Sequence, residues 1–144
     1  MAVAMALKES DLNSPEKREK HKIAVMGCGR IGLATACLFS DMNFKVACFS
    51  PDPYITQQIN SGENFFNRHE LDDMLKRNLN SGRLKATTNS KEVLHESDII
   101  ILAAEIPIDG RKRPVYSNLE EMCRDIGLNL RPGSLIIVQS IVAP

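Results

Sequence analysis

Three glycines, Gly27, Gly29 and Gly32, punctuate the run Met26-Gly27-Cys28-Gly29-Arg30-Ile31-Gly32. Glycine at this spacing does its chemistry with the backbone. It lets main-chain amides approach a phosphate that a side chain would hold off. The run follows the apolar, β-branched "HKIAV" and precedes the apolar-striped "LATACLF". In such a strand–turn–helix setting Gly27 allows the tight turn. Gly29 brings the backbone to a pyrophosphate, and Gly32 lets helix and strand pack closely. The amides of Cys28, Arg30 and Ile31 complete the turn, and the helix dipole favours the bound anion. The chemistry implied is dinucleotide binding; the bland alternative is a glycine-rich turn that binds nothing.

A ribose grip should follow about 20 residues on, as an acidic residue closing the second strand. Ser50 occupies that place, 18 residues after Gly32, and Asp52 follows Pro51. A serine can hydrogen-bond a ribose 2′-hydroxyl and tolerates a 2′-phosphate, but residues 51–60 hold no Lys or Arg to neutralise one. NAD is therefore expected over NADP. The remaining reactive side chains form no constellation. Cysteines 28, 37, 48 and 123 include no CxxC pair, and His21, His69 and His95 sit beside charged residues without metal-ligand spacing. They read as reduced, mostly buried thiols and surface histidines. No catalytic residue and no metal site is assigned.

The elements that must position the glycines are legible from periodicity. Residues 22–26 read as a buried strand. Ile31, Ala34, Leu38 and Phe39 recur at helical spacing between 30 and 42. A second strand spans 44–49, and Asp52 caps a helix opening on Pro53 and ending near 60–62. Leu71, Met74, Leu75 and Leu79 stripe a helix within 67–82 that stops at Gly82. A third strand lies in 83–88, a short helix in 89–97 and a fully apolar strand at 98–104. After the loop 105–116, Ser117 and Glu120 suggest a capping box, with Leu119, Met122, Cys123 and Ile126 facing inward. A last strand spans 134–140. The order β-α-β-α-α-β-α-β-α-β predicts an α/β doubly wound Rossmann fold. Its parallel sheet should have strand order 3-2-1-4-5 and helices on both faces.

That fold brings four loops to the carboxyl edge of the sheet: 27–32, 50–53, 103–107 and 139–141. The cofactor-binding candidates there are Gly27, Cys28, Gly29, Arg30, Ile31, Gly32, Ser50, Ala103, Ala104, Glu105, Pro107 and Ser140. The 144-residue chain reads as one domain over 22–144, preceded by a flexible charged lead-in over 1–21. Lys plus Arg and Asp plus Glu are 18 each, so no nucleic-acid partner is expected. The opening "MAVAMAL" is too short for a secretory h-region, and no apolar run reaches a membrane span. A cytoplasmic protein is expected.

The residues together resemble the N-terminal NAD-binding domain of the UDP-glucose/GDP-mannose dehydrogenases, the nucleotide-sugar 6-dehydrogenases. The likeness covers about 22 to 144. It rests on "KIAVMGCGRIGLATACLFS", "SPDPYITQQINSGENFF", "LDDMLKRNLNSGRLKATTNSKEVLHESDIII", "AAEIPIDGRKRPVYSNLEE" and "LRPGSLIIVQSIVAP", taken in order. Thr87, Thr88, Pro107 and Ser140 match family positions, with the three glycines. The resemblance implies enzymes that oxidise a sugar C6 alcohol to a carboxylate in two NAD-dependent steps. It places their Cys and Lys/Asp chemistry in central and C-terminal parts absent from this chain. Departures gather at the cofactor edge. Ser50 replaces an Asp, and Glu105 and Ile106 replace Pro or Asn and Thr. Gln139 replaces Glu, Ile141 replaces Thr and Ala143 replaces Pro. Glu105 puts a negative charge at a pyrophosphate-binding edge, which should weaken binding.

Three functions are therefore in play. The first is the cofactor domain of a longer nucleotide-sugar dehydrogenase, binding a dinucleotide and acting on nucleotide sugar only with its missing domains. The second is a stand-alone or degenerate nucleotide-binding regulatory module. The third is a structural or partner-binding Rossmann domain. The helices supply apolar faces for the sheet, while a missing downstream domain would leave an apolar patch near the C-terminal edge. A homodimer is one use of such a patch.

Overall fold

The computed structural model describes residues 5–66 and 69–142. Its helices are α1 (Pro15–Arg18), α2 (Arg30–Asp41), α3 (Pro53–Asn60), α4 (His69–Asn80), α5 (Ser90–Glu96) and α6 (Ser117–Asn129). Its strands are β1 (Lys22–Met26), β2 (Lys45–Phe49), β3 (Leu84–Thr87), β4 (Ile99–Leu102) and β5 (Leu135–Val138). The strands pair in parallel in the order β3-β2-β1-β4-β5. Chain order reverses between β1 and β4, so the loops after these two strands flank an open crevice at the carboxyl edge.

Strand alternation divides the core into two layers. Ile23 and Val25 of β1, Val46 and Cys48 of β2, and Ile99 and Ile101 of β4 join Leu33 and Leu75 on one face. Ala24, Met26, Ile100 and Leu102 join Val93, Leu94, Met122 and Ile126 on the other. Helices α2 and α4 thus cover the first face, and α5 and α6 the second. Each fully buried aliphatic chain contributes about 1.5–3 kcal/mol relative to an exposed one.

Several local expectations hold for identifiable reasons. Asp52 Oδ1 accepts from Tyr54 N at 2.9 Å, with Pro53 as the first residue of α3. Gly82 closes α4 at φ +75°, where its amide reaches Leu79 O. Others are corrected. The buried stripe of α2 is Leu33, Ala36, Cys37 and Ser40, whereas Ile31 and Leu38 face outward. Close packing at Gly32 rotates the helix so that small residues meet the sheet. Ser117 is the first helical residue of α6 and not its cap. Tyr116 takes the cap position without a side-chain cap bond to the helix, and its carbonyl accepts from Glu120 N. Cys123 is exposed on that helix. His21 is half-buried, its Nδ1 3.2 Å from Asp98 Oδ2.

The lead-in also makes contacts where the sequence predicts a mobile segment. Leu7 is buried in the first core layer, and Ala6 N donates to Gly133 O. Ser14 accepts from Lys17 N to cap α1, while Arg18 donates to the carbonyls of Leu12 and Met42. At the opposite extreme, β5 is the open edge. Ile136, Ile137 and Val138 are exposed, so the helices do not cover the sheet completely. No described helix is long and apolar enough to cross a membrane.

Candidate functional site at the carboxyl edge of the sheet

The glycine turn is built by close approach. Gly27 has φ +121°, and a Cβ there would lie 2.9 Å from the carbonyl carbon of Ala103 and collide with its oxygen. Its amide donates to Phe49 O, and Ala103 N donates to Met26 O. The turn is thereby pinned between β2 and β4. A Cβ on Gly32 would collide with the Gly27 carbonyl, so α2 sits directly on the turn. Gly29 is the cap residue of α2, with extended backbone and no side-chain cap bond. The first turn of α2 contains no acidic residue. Its amide end therefore faces the crevice without an anion supplied by the helix itself.

Two adjoining clefts meet at this turn. One is lined by Gly27, Cys28, Gly29, Ser50, Pro51 and Ile55, with Phe65, Phe66, Asn118 and Met122 closing it. The other is lined by Arg30, Ile31, Ala103 to Ile108, Gln139, Ser140 and Ile141. Ala103, Glu105, Phe66 and Asn118 belong to both. The four loops expected at this edge are thus brought together. Every candidate residue except Gly32 lines one of the clefts, and Gly32 supports the turn from beneath.

Individual side chains refine the picture. Ser50 is buried, and its Oγ accepts from Asp52 N at 3.2 Å. Asp52 is committed to α3 and does not stand in for the missing acid. The Cys28 side chain points into the core, its Sγ 3.0 Å from that of Cys48. Burial and the Cys28 contact push the Cys48 thiol well above its ordinary range, the Cys28 hydrogen bond being the larger cause. Arg30 lies over the Phe66 ring, 5.9 Å from its centroid. Ala103 and Ala104 are buried at the end of β4. Pro107 O accepts from Val115 N, closing the base of the following loop. Asp109 ties that loop together, and the backbone amide of Arg113 is the chief cause holding its carboxyl below the usual range. Ser140 Oγ donates to Leu102 O at 3.2 Å, and Gln139 Oε1 accepts from Thr35 Oγ1 at 3.0 Å. Ile141 is 81% exposed and, being aliphatic, brings no hydroxyl to the second cleft. Ala143 lies outside the described residues.

Glu105 departs from a simple cradle. A Cβ added to Gly29 would lie 2.7 Å from Glu105 Cδ and collide with a carboxylate oxygen. The space that Gly29 leaves beside the turn holds the carboxylate of Glu105. Residue spacing does not reveal this contact. Nor does it reveal Ile55, Phe65, Phe66, Asn118 and Met122 as lining residues. For Phe65 and Phe66 the adjacent aromatic pair was the available signal; Asn118 and Met122 read simply as helix residues.

Comparison with known proteins agrees with this geometry. Residues 21–144 match the model of the UDP-glucose/GDP-mannose dehydrogenase family, NAD binding domain. The chain is 32% identical over 123 residues to the UDP-N-acetyl-D-mannosamine dehydrogenase of Pyrococcus horikoshii, covering 85% of this chain and 29% of that one. It is 32% identical over 121 residues to the enzyme of the same name from Campylobacter jejuni, covering 83% and 29%. The solved Pyrococcus horikoshii structure superimposes with a TM-score of 0.79, at 32% identity over 85% of this chain and 29% of that one. A ternary complex of the GDP-mannose dehydrogenase of Pseudomonas aeruginosa superimposes with a TM-score of 0.80, at 25% identity over the same shares. The chain thus spans under a third of the length of these relatives. With the family model matching residues 21–144, the chain belongs to the UDP-glucose/GDP-mannose dehydrogenase family, as its NAD-binding domain.

Proposed function

We propose that the crevice binds NAD(H) across the two clefts, as the cofactor module of a nucleotide-sugar 6-dehydrogenase. The observation that carries this reading is the uncapped amide end of α2 behind Gly29, at the junction of the clefts. A diphosphate there would meet backbone donors and the favourable end of the dipole. Gly27, Cys28, Gly29, Arg30 and Ile31 would hold the diphosphate. Ser50 would contact the adenosine ribose, and Ala103, Ala104, Pro107 and Ser140 would flank the nicotinamide half. The bound cofactor would accept a hydride from the substrate alcohol. The residues present fit the cofactor, with the Glu105 carboxylate as the one opposing charge among the described lining residues. NAD is favoured over NADP because residues 51–60 carry no Lys or Arg for a 2′-phosphate.

We assign no catalytic residue to this chain. Cys28 and Cys48 are turned into the core, and Cys37 is buried. Sugar oxidation is assigned to the whole enzyme, in the cytoplasm, with the nucleotide sugar held outside this domain. A second reading, a regulatory nucleotide-binding module without catalysis, is favoured by the Glu105 contact and the apolar Ile141. Amide chemical-shift mapping with NAD⁺ tests the assignment. Perturbations should cluster at 27–32, 50, 103–107 and 139–140. Perturbations confined to the opposite edge, near Lys22, Lys45 and Arg83, would contradict it.

A further inference from the structure

Glu105 stands where β4 gives way to the following loop. Its backbone base is fixed, because Ala103 N is bonded to Met26 O and both preceding alanines are buried. Its side chain is exposed and lies against Gly29, with Cγ and Cδ 2.9 and 2.7 Å from the site of an added Cβ. The same residue lines both clefts. Among the described residues, no ion pair or hydrogen bond holds the carboxylate. Arg30, the cation of the glycine turn, lies over Phe66. A negative charge thus occupies the junction of the clefts, on an exposed side chain that rests against Gly29 and is free to change rotamer.

We propose that Glu105 is a displaceable internal competitor for the phosphate cradle, which weakens the hold on diphosphate-bearing ligands relative to uncharged nucleosides and so sets how tightly the dinucleotide is held. This rests on the NAD(H) reading above and adds a specificity-determining residue to it. A diphosphate entering the crevice must move a carboxylate that nothing else retains, or share the amide end of α2 with it. Two anions in close approach repel appreciably at the effective dielectric of a protein surface, and rotation of the side chain relieves most of that. A neutral nucleoside in the Ser50 cleft meets no such conflict. The distinguishing signature is a gain on removing the charge that depends on the ligand's phosphates.

The test titrates the full chain and its E105Q and E105A variants with NAD⁺, ADP and adenosine, following binding by NMR. Both variants should bind NAD⁺ and ADP about tenfold more tightly than the parent, corresponding to about 1.4 kcal/mol. Adenosine affinity should stay within about twofold, because the change is electrostatic and local. Added salt should narrow the NAD⁺ difference between parent and E105Q, since screening weakens the repulsion. Gln keeps the bulk of the side chain, so a gain in E105A alone would assign the effect to bulk and overturn the charge competition. Equal NAD⁺ affinity in all three chains would overturn this inference and leave the NAD(H) reading standing. Equal gains for adenosine and ADP would also overturn it. Absence of NAD⁺ binding in all three chains at millimolar concentration would overturn the NAD(H) reading, and this inference with it.

Discussion

Single side chains decide what the crevice recognises. Ser50 is buried just after β2, where dinucleotide-binding folds commonly carry an acid for the ribose 2′-hydroxyl. Ser50→Asp should tighten NAD⁺ binding by about tenfold, the worth of one charge-assisted hydrogen bond. Calorimetry on the variant checks this; unchanged or weaker binding would remove Ser50 from the ribose site. The thiols make a separate prediction. Burial, with Asp41 nearby, pushes the Cys37 thiol up to about 12, and Cys48 is raised by Cys28 and burial. Cys123 is exposed. Only a thiolate attacks an alkylating agent. At mildly alkaline pH, iodoacetamide should modify Cys123 first and leave Cys37 and Cys48 until the chain unfolds, as peptide mass mapping would show. The three glycines and Ser50 were legible in the sequence because backbone requirements fix their types and spacing. The Glu105 contact with Gly29 was not, since a side-chain rotamer across two loops leaves no periodic trace.

Elements are tied to one another by a few polar contacts at the amino edge of the sheet, opposite the crevice. Asp41, the last residue of α2, accepts from Arg77 Nε at 2.8 Å and from the buried Asn78 Nδ2 at 2.6 Å, both on α4. The Arg77 guanidinium is the main reason that the Asp41 carboxyl lies below its ordinary range. A depressed carboxyl stabilises the fold above the unfolded carboxyl value, near 3.9, and loses that contribution as pH falls through the folded value. Asp41→Asn should therefore cost about 1–2 kcal/mol at pH 7, discounted for its partial exposure, and much less at pH 3. Urea unfolding at both pH values measures the difference; an equal loss at both would assign it to packing. Asp98, just before β4, makes a second tie at the same edge. It accepts from Lys22 N at 3.1 Å and pairs with His21 and Arg131. Asp98→Asn should lower stability by about 1–3 kcal/mol in the same assay. Strand and helix positions followed from apolar periodicity, and α3 from the Asp52-Pro53 pair. The buried face of α2 is hard to read from sequence because Ala36, Cys37 and Ser40 are weak hydrophobic signals beside the exposed Ile31 and Leu38. The first residue of α6 shifted because a backbone bond to Tyr116 O replaced the Ser117 cap.

At the scale of the molecule, the two covered faces contrast with the open β5 edge. Ile136, Ile137 and Val138 are 42%, 41% and 59% exposed, and Ile141 and Val142 continue the apolar surface. An unpaired apolar edge favours strand-to-strand association. We expect the 144-residue chain to self-associate reversibly, and Ile137→Lys to suppress this; sedimentation velocity over a concentration series would show it, and a monomer at all concentrations would refute it. The strand order was legible from the alternation of elements, since right-handed crossovers leave few arrangements. The exposure of β5 was only half legible: its composition reads as buried, and the absence of a covering layer appears only in three dimensions. The crevice between β1 and β4 is tested most directly by a calorimetric titration of the chain with NAD⁺, with Gly29→Asp as control. Saturable binding that Gly29→Asp abolishes, with the folded state intact by circular dichroism, is the expected result. Binding that survives Gly29→Asp unchanged, or no binding up to millimolar NAD⁺, would contradict a phosphate cradle at this turn.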